Sequence, residues 1–118
     1  GANVVMGHHT HLLQPVQVYN DGFILYNMGN LVFDILRADG RRSAVFETVF
    51  STKINGGWQA EKLVLHPIQL RKLKAGPRPA TPKEARRILD PIQRASAKRF
   101  DTPMRWLNDA LVWERTKN

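Results

Sequence analysis

The strongest constraint on the fold is a pair of long alternating segments joined by a glycine turn. Residues 43–54 and 58–70 carry the two-residue alternation of β-strands, and Asn55-Gly56-Gly57 connects them. In the first segment one face is the more apolar and is expected to pack on the core; it contains Ala44, Phe46, Thr48, Phe50 and Thr52. A long antiparallel hairpin is therefore predicted at the centre of the chain.

Shorter strands precede this hairpin. Residues 2–6 read as a short buried strand that ends at Gly7. Residues 15–19 and 23–26 flank Asn20-Asp21-Gly22, a sequence typical of a tight β-hairpin turn. A third apolar run follows at residues 31–33.

Helices are predicted after a connector rich in proline and glycine at residues 74–82. Thr81 fits the N-cap, Pro82 the first helical position and Glu84 the capping box. The apolar stripe of this helix is Ala85, Ile88, Leu89, Ile92, Ala95 and Phe100, and Pro91 is expected to kink or restart the helix near Asp90. A second helix is predicted from Thr102-Pro103, with Met104, Leu107 and Leu111 on one stripe.

The expected architecture is α+β, with short strands from the edge of a sandwich, a long hairpin and two covering helices. A chain of 118 residues is at most one domain, divided here into a β-rich part (1–73), the connector (74–82) and a basic helical tail (83–118). Without cysteine there is no disulfide, thiolate metal site or cysteine nucleophile. No apolar run approaches the ~20 residues of a transmembrane helix. Since the first residue is not Met and a strand begins at once, the chain is expected to be a piece of a longer protein.

Positive charge is concentrated in the second part of the chain. Residues 1–70 contain five Lys/Arg and five Asp/Glu, whereas residues 71–118 contain 13 Lys/Arg and 5 Asp/Glu. A helix face with Lys83, Arg87, Arg94 and Lys98 could meet an acidic polymer, an anionic membrane or nucleic acid. The alternative is an ordinary solvated helix surface, and no nucleic-acid motif accompanies the charge.

The most distinctive motif is Gly7-His8-His9-Thr10-His11, which holds three of the four histidines. Imidazole is the commonest metal ligand in proteins. On an extended segment His9 and His11 would project to the same side and could enter one metal site or bridge two neighbouring ions. His8 would point away from that pair, either as a group that supports the ligands from behind or as a substrate contact. Gly7 would let the chain turn sharply after the strand. The alternative is a surface loop that is merely rich in histidine.

Two histidines cannot complete a four- to six-coordinate site, so further ligands are required. The candidates in this chain are Gln14, Asp21, Asn27, Asn30 and Asp34. Asp21 has a turn role as its alternative and Asp34 a solvated or capping role. Asn30 is predicted to be a substrate contact beside the loop, with a turn role as the alternative.

Three further residues are expected to have structural roles. His66 stands alone in a strand, where a histidine is usually packed or half-exposed, and Trp106 and Trp113 are expected to be core or interface anchors.

The order of motifs resembles a known family. Gly7 to Pro15 reads Gly-His-His-Thr-His-Leu-Leu-Gln-Pro, and Val18 to Asp34 contains Tyr-Asn-Asp-Gly followed by Tyr-Asn-Met-Gly-Asn-Leu-Val-Phe-Asp. Over residues 1–36 this closely resembles the C-terminal core of the bacterial capsule or poly-gamma-glutamate synthesis proteins, the CapA family. The usual motifs of that family are Gly-His-His-Pro-His and Tyr-Ser-Leu-Gly-Asn. Thr10, Asn27 and Met28 therefore differ from the family pattern.

The resemblance implies a relative of the calcineurin-like metallophosphoesterases. It implies that His9 and His11 are metal ligands, with His8 beside them, in a domain that holds two divalent ions and whose other motifs lie upstream. The implied setting is synthesis or export of an anionic polymer at the cell envelope, with other capsule-synthesis components as partners. Catalysis by a phosphoesterase-type hydrolase and a non-catalytic scaffold that binds polymer through the basic helices both remain open.

Overall fold

A computed structural model of the chain describes residues 1–31, 37–71 and 75–117. Two β-sheets and one helix pack around a shared core, which confirms the α+β class. The predicted strand at residues 31–33 lies, beyond Leu31, outside the described residues. No helix in the described ranges is long and apolar enough to cross a membrane.

The smaller sheet carries the histidine loop and contains β1 (Val4–Met6), β2 (Val16–Tyr19) and β3 (Gly22–Leu25). β3 lies in the middle, parallel to β1 and antiparallel to β2, and the predicted β2–β3 hairpin is confirmed. The predicted burial of β1 is wrong: Val5 is 49% and Met6 61% exposed. β1 is an edge strand, so within the described residues only β3 lies beside it.

The turn of this hairpin uses its residues differently from the prediction. Tyr19 pairs with Gly22, so Asn20 and Asp21 form the two-residue loop, and Asn20 has a φ of 52°. Gly22 lies within the strand, where a Cβ would come 2.4 Å from the carbonyl oxygen of Asn3. Close approach of two backbones, rather than positive φ, is therefore what requires glycine at this position.

The larger sheet is built on the predicted long hairpin of β4 (Arg42–Thr52) and β5 (Trp58–Leu70). β6 (Pro77–Pro79), β7 (Arg105–Leu107) and β8 (Ala110–Glu114) complete it in the order β4-β5-β8-β7, with β6 also on β5. The face of β4 predicted to be apolar does turn inward, since Phe46 and Phe50 pack against the core while Val45 and Val49 are exposed.

A β-bulge at Glu61 sets which side chains of β5 reach the core. Phe50 pairs with Ala60 and Val49 with Lys62, so Glu61 has no residue opposite it on β4. Ala60 and Leu63 are both fully buried although they are three positions apart. Strict alternation would place them on opposite faces, and the extra residue returns them to the same one.

The helix α1 (Pro82–Phe100) begins as the sequence predicts. The Thr81 hydroxyl accepts a hydrogen bond from the Glu84 backbone N–H (3.3 Å), and the Glu84 carboxylate accepts one from the Thr81 N–H (2.9 Å). The buried residues of α1 are Ala85, Ile88, Leu89, Ile92 and Ser96. The helix continues through Pro91, so the restart expected near Asp90 does not occur.

The second predicted helix is wrong, and a β-hairpin takes its place. Asp101 adopts the left-handed conformation (φ 47°, ψ 41°) that ends α1. Thr102, predicted to cap the next helix, instead accepts a hydrogen bond from the Val18 N–H (3.0 Å). β7 and β8 follow around Asn108, whose φ of 53° fits a tight turn. The segment placed in a helical tail thus joins the sheet through the pairing of β8 with β5.

Hydroxyl groups from the end of α1 also hold the small sheet against the core. β2 is an edge strand, and the Ser96 Oγ accepts from the Val16 N–H (3.0 Å) just as Thr102 accepts from Val18. Ser96 and Thr102 are fully buried. Buried backbone donors need such partners, so the two hydroxyls fix β2, and with it the sheet that carries the histidine loop.

Candidate functional site

The histidine loop leaves β1 at Gly7, which is fastened to the far end of β3. The Gly7 N–H donates to the Leu25 carbonyl (2.7 Å), and the Met28 N–H donates to the Gly7 carbonyl (3.1 Å). A Cβ on Gly7 would lie 2.0 Å from the carbonyl oxygen of Tyr26. Glycine is thus required because two backbone segments touch, and this contact sets where the loop begins.

His8, His9 and His11 are all exposed, but the loop is not extended. The φ angle is 99° at His9 and 60° at His11. The premise that both side chains project to one side of an extended segment is therefore wrong. Left-handed conformations at residues other than glycine cost about 1–3 kcal/mol each and tend to cluster at functional sites. Two of the three residues from His9 to His11 adopt such conformations, so the backbone of this loop is strained.

Asn30 joins the loop to a more distant segment of the chain. Its Nδ2 donates to the carbonyl of His11 (2.9 Å) and to the carbonyl of Gly40 (3.0 Å). Its Oδ1 lies 2.6 Å from Nδ1 of the His11 ring. Asn30 is 1% exposed. Both ends of its amide are thus in contact with protein groups, and its surface is almost wholly removed from solvent.

Of the other predicted ligands, Asn27 and Gln14 lie next to each other near the start of the loop, whereas Asp21 lies at the opposite end of β3. Asn27 is 1% exposed, and its Oδ1 accepts from the Gly29 N–H (3.0 Å), while its Nδ2 has no hydrogen-bond partner among the described residues. The Gln14 backbone N–H donates to the Asn27 carbonyl (3.1 Å). Asp21 lies in the β2–β3 turn, where a hydrogen bond from Lys53 holds the pKa of its carboxyl below the usual value. Asp34 lies outside the described residues.

Imidazole nitrogens suit a divalent transition metal, and the loop supplies that kind of donor. Among residues 1–31, 37–71 and 75–117, however, no three His, Cys, Asp or Glu side chains converge closely enough to hold an ion. The fit is therefore that of part of a site, with donors of the right chemistry and a coordination sphere that these residues leave incomplete.

The four predicted cations of α1 lie on one exposed stripe: Lys83, Arg87, Arg94 and Lys98. At 100° per residue they fall within an arc of about 60°. None of them makes an ion pair with another described residue, whereas Arg78, Arg105 and Arg115 each bind a carboxylate. We call this set the basic stripe.

The remaining singled-out residues have structural surroundings. His66 is exposed, with Nε2 2.9 Å from the Glu47 carboxylate. Trp113 packs edge-on against Phe23, with ring centroids 5.6 Å apart. The guanidinium of Arg86 lies 3.8 Å above the Trp106 ring, a contact that sequence reasoning missed because the two residues are 20 apart.

The comparisons with known proteins include a family model that matches the segment carrying the loop. Residues 1–35 match the family model described as bacterial capsule synthesis protein PGA_cap. The chain is 36% identical over 66 residues to the PGA biosynthesis protein CapA of Bacillus subtilis (strain 168), covering 56% of this chain and 17% of that protein. It is 33% identical over 81 residues to the capsule biosynthesis protein CapA of Bacillus anthracis, covering 69% of this chain and 18% of that protein.

The chain thus spans less than a fifth of the length of either curated relative. The matched residues include Gly7, all three loop histidines and Asn30, so the similarity lies where the backbone is most strained. The predicted resemblance is thereby confirmed: the chain is similar to the CapA family of bacterial capsule synthesis proteins.

Proposed function

We propose that this chain forms part of a capsule synthesis protein and supplies the histidine ligands of a divalent-metal site of the metallophosphoesterase type. The observation that carries the proposal is the pair of left-handed residues, His9 and His11, in a loop fastened by Gly7. In a solvated loop without a ligand, nothing offsets the free-energy cost of such backbone conformations. In a metal site they are useful, because they hold the imidazole nitrogens in fixed directions.

In this proposal His9 and His11 bind the metal, and the rest of the coordination sphere comes from outside the described residues. When bound, such an ion polarises a phosphoester-like or acyl-like group and activates water. His8, exposed next to these ligands, would contact the substrate and stabilise negative charge as it develops. The names of the relatives support a setting in capsule synthesis at the cell envelope. The substrate in this proposal is an anionic polymer such as poly-gamma-glutamate, or a phosphoester.

The test compares the full-length protein with His9→Ala and His11→Ala. Bound metal is measured by calorimetric titration with Zn²⁺ and by metal analysis after dialysis. We expect each substitution to reduce the bound metal and to reduce any hydrolysis of a generic phosphoester. His66→Ala is the matched control, because it removes an exposed imidazole on β5 of the larger sheet, outside the loop. Metal content that is the same in all four proteins would reject the proposal.

A second function, polymer binding by a non-catalytic scaffold, is favoured by the basic stripe. Its four cations are exposed and have no acidic partner among the described residues, so their charge is available to a polyanion. This candidate needs no metal and no intact histidine loop, which separates it from the first.

Its test is a paired charge reversal. Arg87→Glu/Arg94→Glu should weaken the association with poly-gamma-glutamate, and the loss should shrink as salt rises from 50 to about 500 mM because screening weakens such contacts. The control Arg99→Glu/Lys117→Glu changes the net charge equally at exposed positions off the stripe. Equal weakening by both pairs would show that only net charge matters and would refute a specific role of the stripe.

A further inference from the structure

The hydrogen bonds of Asn30 determine which nitrogen of the His11 ring carries the proton. Two backbone carbonyls, those of His11 and Gly40, lie 2.9 and 3.0 Å from one end of the Asn30 amide. Carbonyls only accept hydrogen bonds, so that end must be the NH₂ group. The other end is therefore the oxygen, and an amide flip would place it against two acceptors.

The amide oxygen lies 2.6 Å from Nδ1 of His11. Because this oxygen can only accept, Nδ1 must carry a hydrogen and donate it. A neutral imidazole protonated at Nδ1 has its lone pair on Nε2, and only a nitrogen with a lone pair can bind a metal. Asn30 thus selects the tautomer in which Nε2 of His11 is the metal-binding nitrogen.

We propose that Asn30 is a positioning residue for His11, fixing its tautomer and ring orientation, rather than a group that contacts substrate. This inference rests on the proposed metal site. The burial of Asn30 argues against a substrate contact, since only 1% of the residue is exposed and both ends of its amide are hydrogen-bonded to protein groups. The outer partners of ligating histidines set the tautomer and the basicity of the ring in this way.

Asn30 also holds the backbone at the residue whose ring it orients. The same NH₂ group binds the His11 carbonyl, at a residue whose φ is 60°. Its bond to Gly40 anchors the amide to a buried residue of the 3-10 turn Asp39–Arg41. Ring and backbone of His11 are therefore held by one side chain that is itself fixed by a third segment.

The first experiment needs no substitution. In the full-length protein with ¹⁵N-labelled histidine, at a pH where imidazole is neutral, we expect His11 to show a protonated Nδ1 and an unprotonated Nε2. His66 is an internal control with the opposite arrangement, because its Nε2 faces the acceptor oxygens of Glu47. A His11 ring protonated at Nε2 alone would overturn the inference.

The second experiment compares Asn30→Leu with Asn27→Leu. Both asparagines are 1% exposed and three positions apart, but Asn27 has no hydrogen bond to His11. We expect Asn30→Leu to lose the Nδ1–H signature and to bind Zn²⁺ about 10–100-fold more weakly, the usual cost of losing an outer partner. Asn27→Leu should keep the His11 tautomer and the Zn²⁺ affinity.

The outcomes separate this inference from the proposed function. Unchanged Zn²⁺ affinity in folded Asn30→Leu, together with metal binding that depends on His9 and His11, would refute the positioning role alone. Metal binding that is insensitive to His9 and His11 would refute the proposed site whatever the tautomer of His11. If Asn30→Leu fails to fold, the tautomer of the unsubstituted protein still decides the inference.

Discussion

Replacing Gly7 by alanine perturbs the contact that fixes the start of the histidine loop. The added Cβ would lie 2.0 Å from the Tyr26 carbonyl oxygen and 3.1 Å from that of Leu25. Ordinary contact between such atoms needs about 3.5 Å, so the two backbone segments must separate by more than about 1 Å. The hydrogen bonds on either side of Gly7, of 2.7 and 3.1 Å, cannot both survive such a movement.

The magnitude follows from these contacts. Two backbone hydrogen bonds contribute about 0.5–1.5 kcal/mol each, and overpacking a tight contact costs about 1–3 kcal/mol. We therefore expect Gly7→Ala to lower the free energy of unfolding by about 2–6 kcal/mol. With an m value of about 2 kcal/mol/M, the urea midpoint should fall by about 1–3 M.

Equilibrium unfolding in urea measures this effect, and histidine NMR signals of the folded state report on the loop. Gly56→Ala is the matched control, because its Cβ would meet nothing within 4 Å although its φ is also unfavourable at +86°. That substitution should cost about 1–2 kcal/mol and leave the signals of His8, His9 and His11 in place. A Gly7→Ala protein with a midpoint within about 0.3 M of the unsubstituted protein would contradict the close-contact explanation.

Three further predictions concern α1. Leu89→Ala should lower the free energy of unfolding by about 2–5 kcal/mol in urea, because Leu89 is fully buried in the core. Thr81→Ala should cost about 1 kcal/mol in the same assay through loss of the N-cap, whereas Thr52→Ala, at an exposed strand end, should cost little. A hydrogen bond from Arg78 lowers the pKa of Glu84 from 4.5 to about 2. The stability due to ionised Glu84 is therefore present above pH 4.5 and lost as the pH falls towards 2, and acid unfolding followed by circular dichroism should lose this component in Glu84→Gln.

The elements that the sequence predicts correctly are those with local causes. The β4–β5 hairpin follows from alternation around Asn55-Gly56-Gly57, and the start of α1 follows from the capping box. Each signal is complete within a few neighbouring residues. Packing elsewhere in the chain does not have to be known for such elements to be recognised.

The errors have causes that lie far away along the chain. Thr102-Pro103 is a good local start for a helix. The Thr102 hydroxyl instead accepts a hydrogen bond from the backbone N–H of Val18, 84 positions earlier in the chain. Leu107, expected on a helix stripe, is 46% exposed, because β7 alternates and turns its neighbour Trp106 towards the core. Tertiary pairing with β5 thus outweighs a local propensity for helix, which is the usual way such predictions fail.

In the candidate site, too, some features could be predicted from the sequence and others depend on distant contacts. Residue types alone identify the three histidines, because clustering of imidazoles is visible in the sequence. The backbone conformation of His9 and His11 is not visible there, since it results from contacts of Gly7 with β3 and of Asn30 with His11. Asn30 could be singled out as polar and close to the loop, but only its burial separates a positioning role from contact with substrate.

The Asn30 contacts also reach beyond the segment that matches the family model. The match covers residues 1–35, which include Gly7 and Asn30. Gly40 lies beyond this segment and contributes a backbone carbonyl, which a residue of any type could supply. The residue type at position 40 can therefore change without loss of this anchor of Asn30, provided that the backbone stays in the same place. On this argument, substitutions near Gly40 that preserve the backbone should leave the His11 tautomer unchanged, whereas an insertion that displaces the 3-10 turn should alter it.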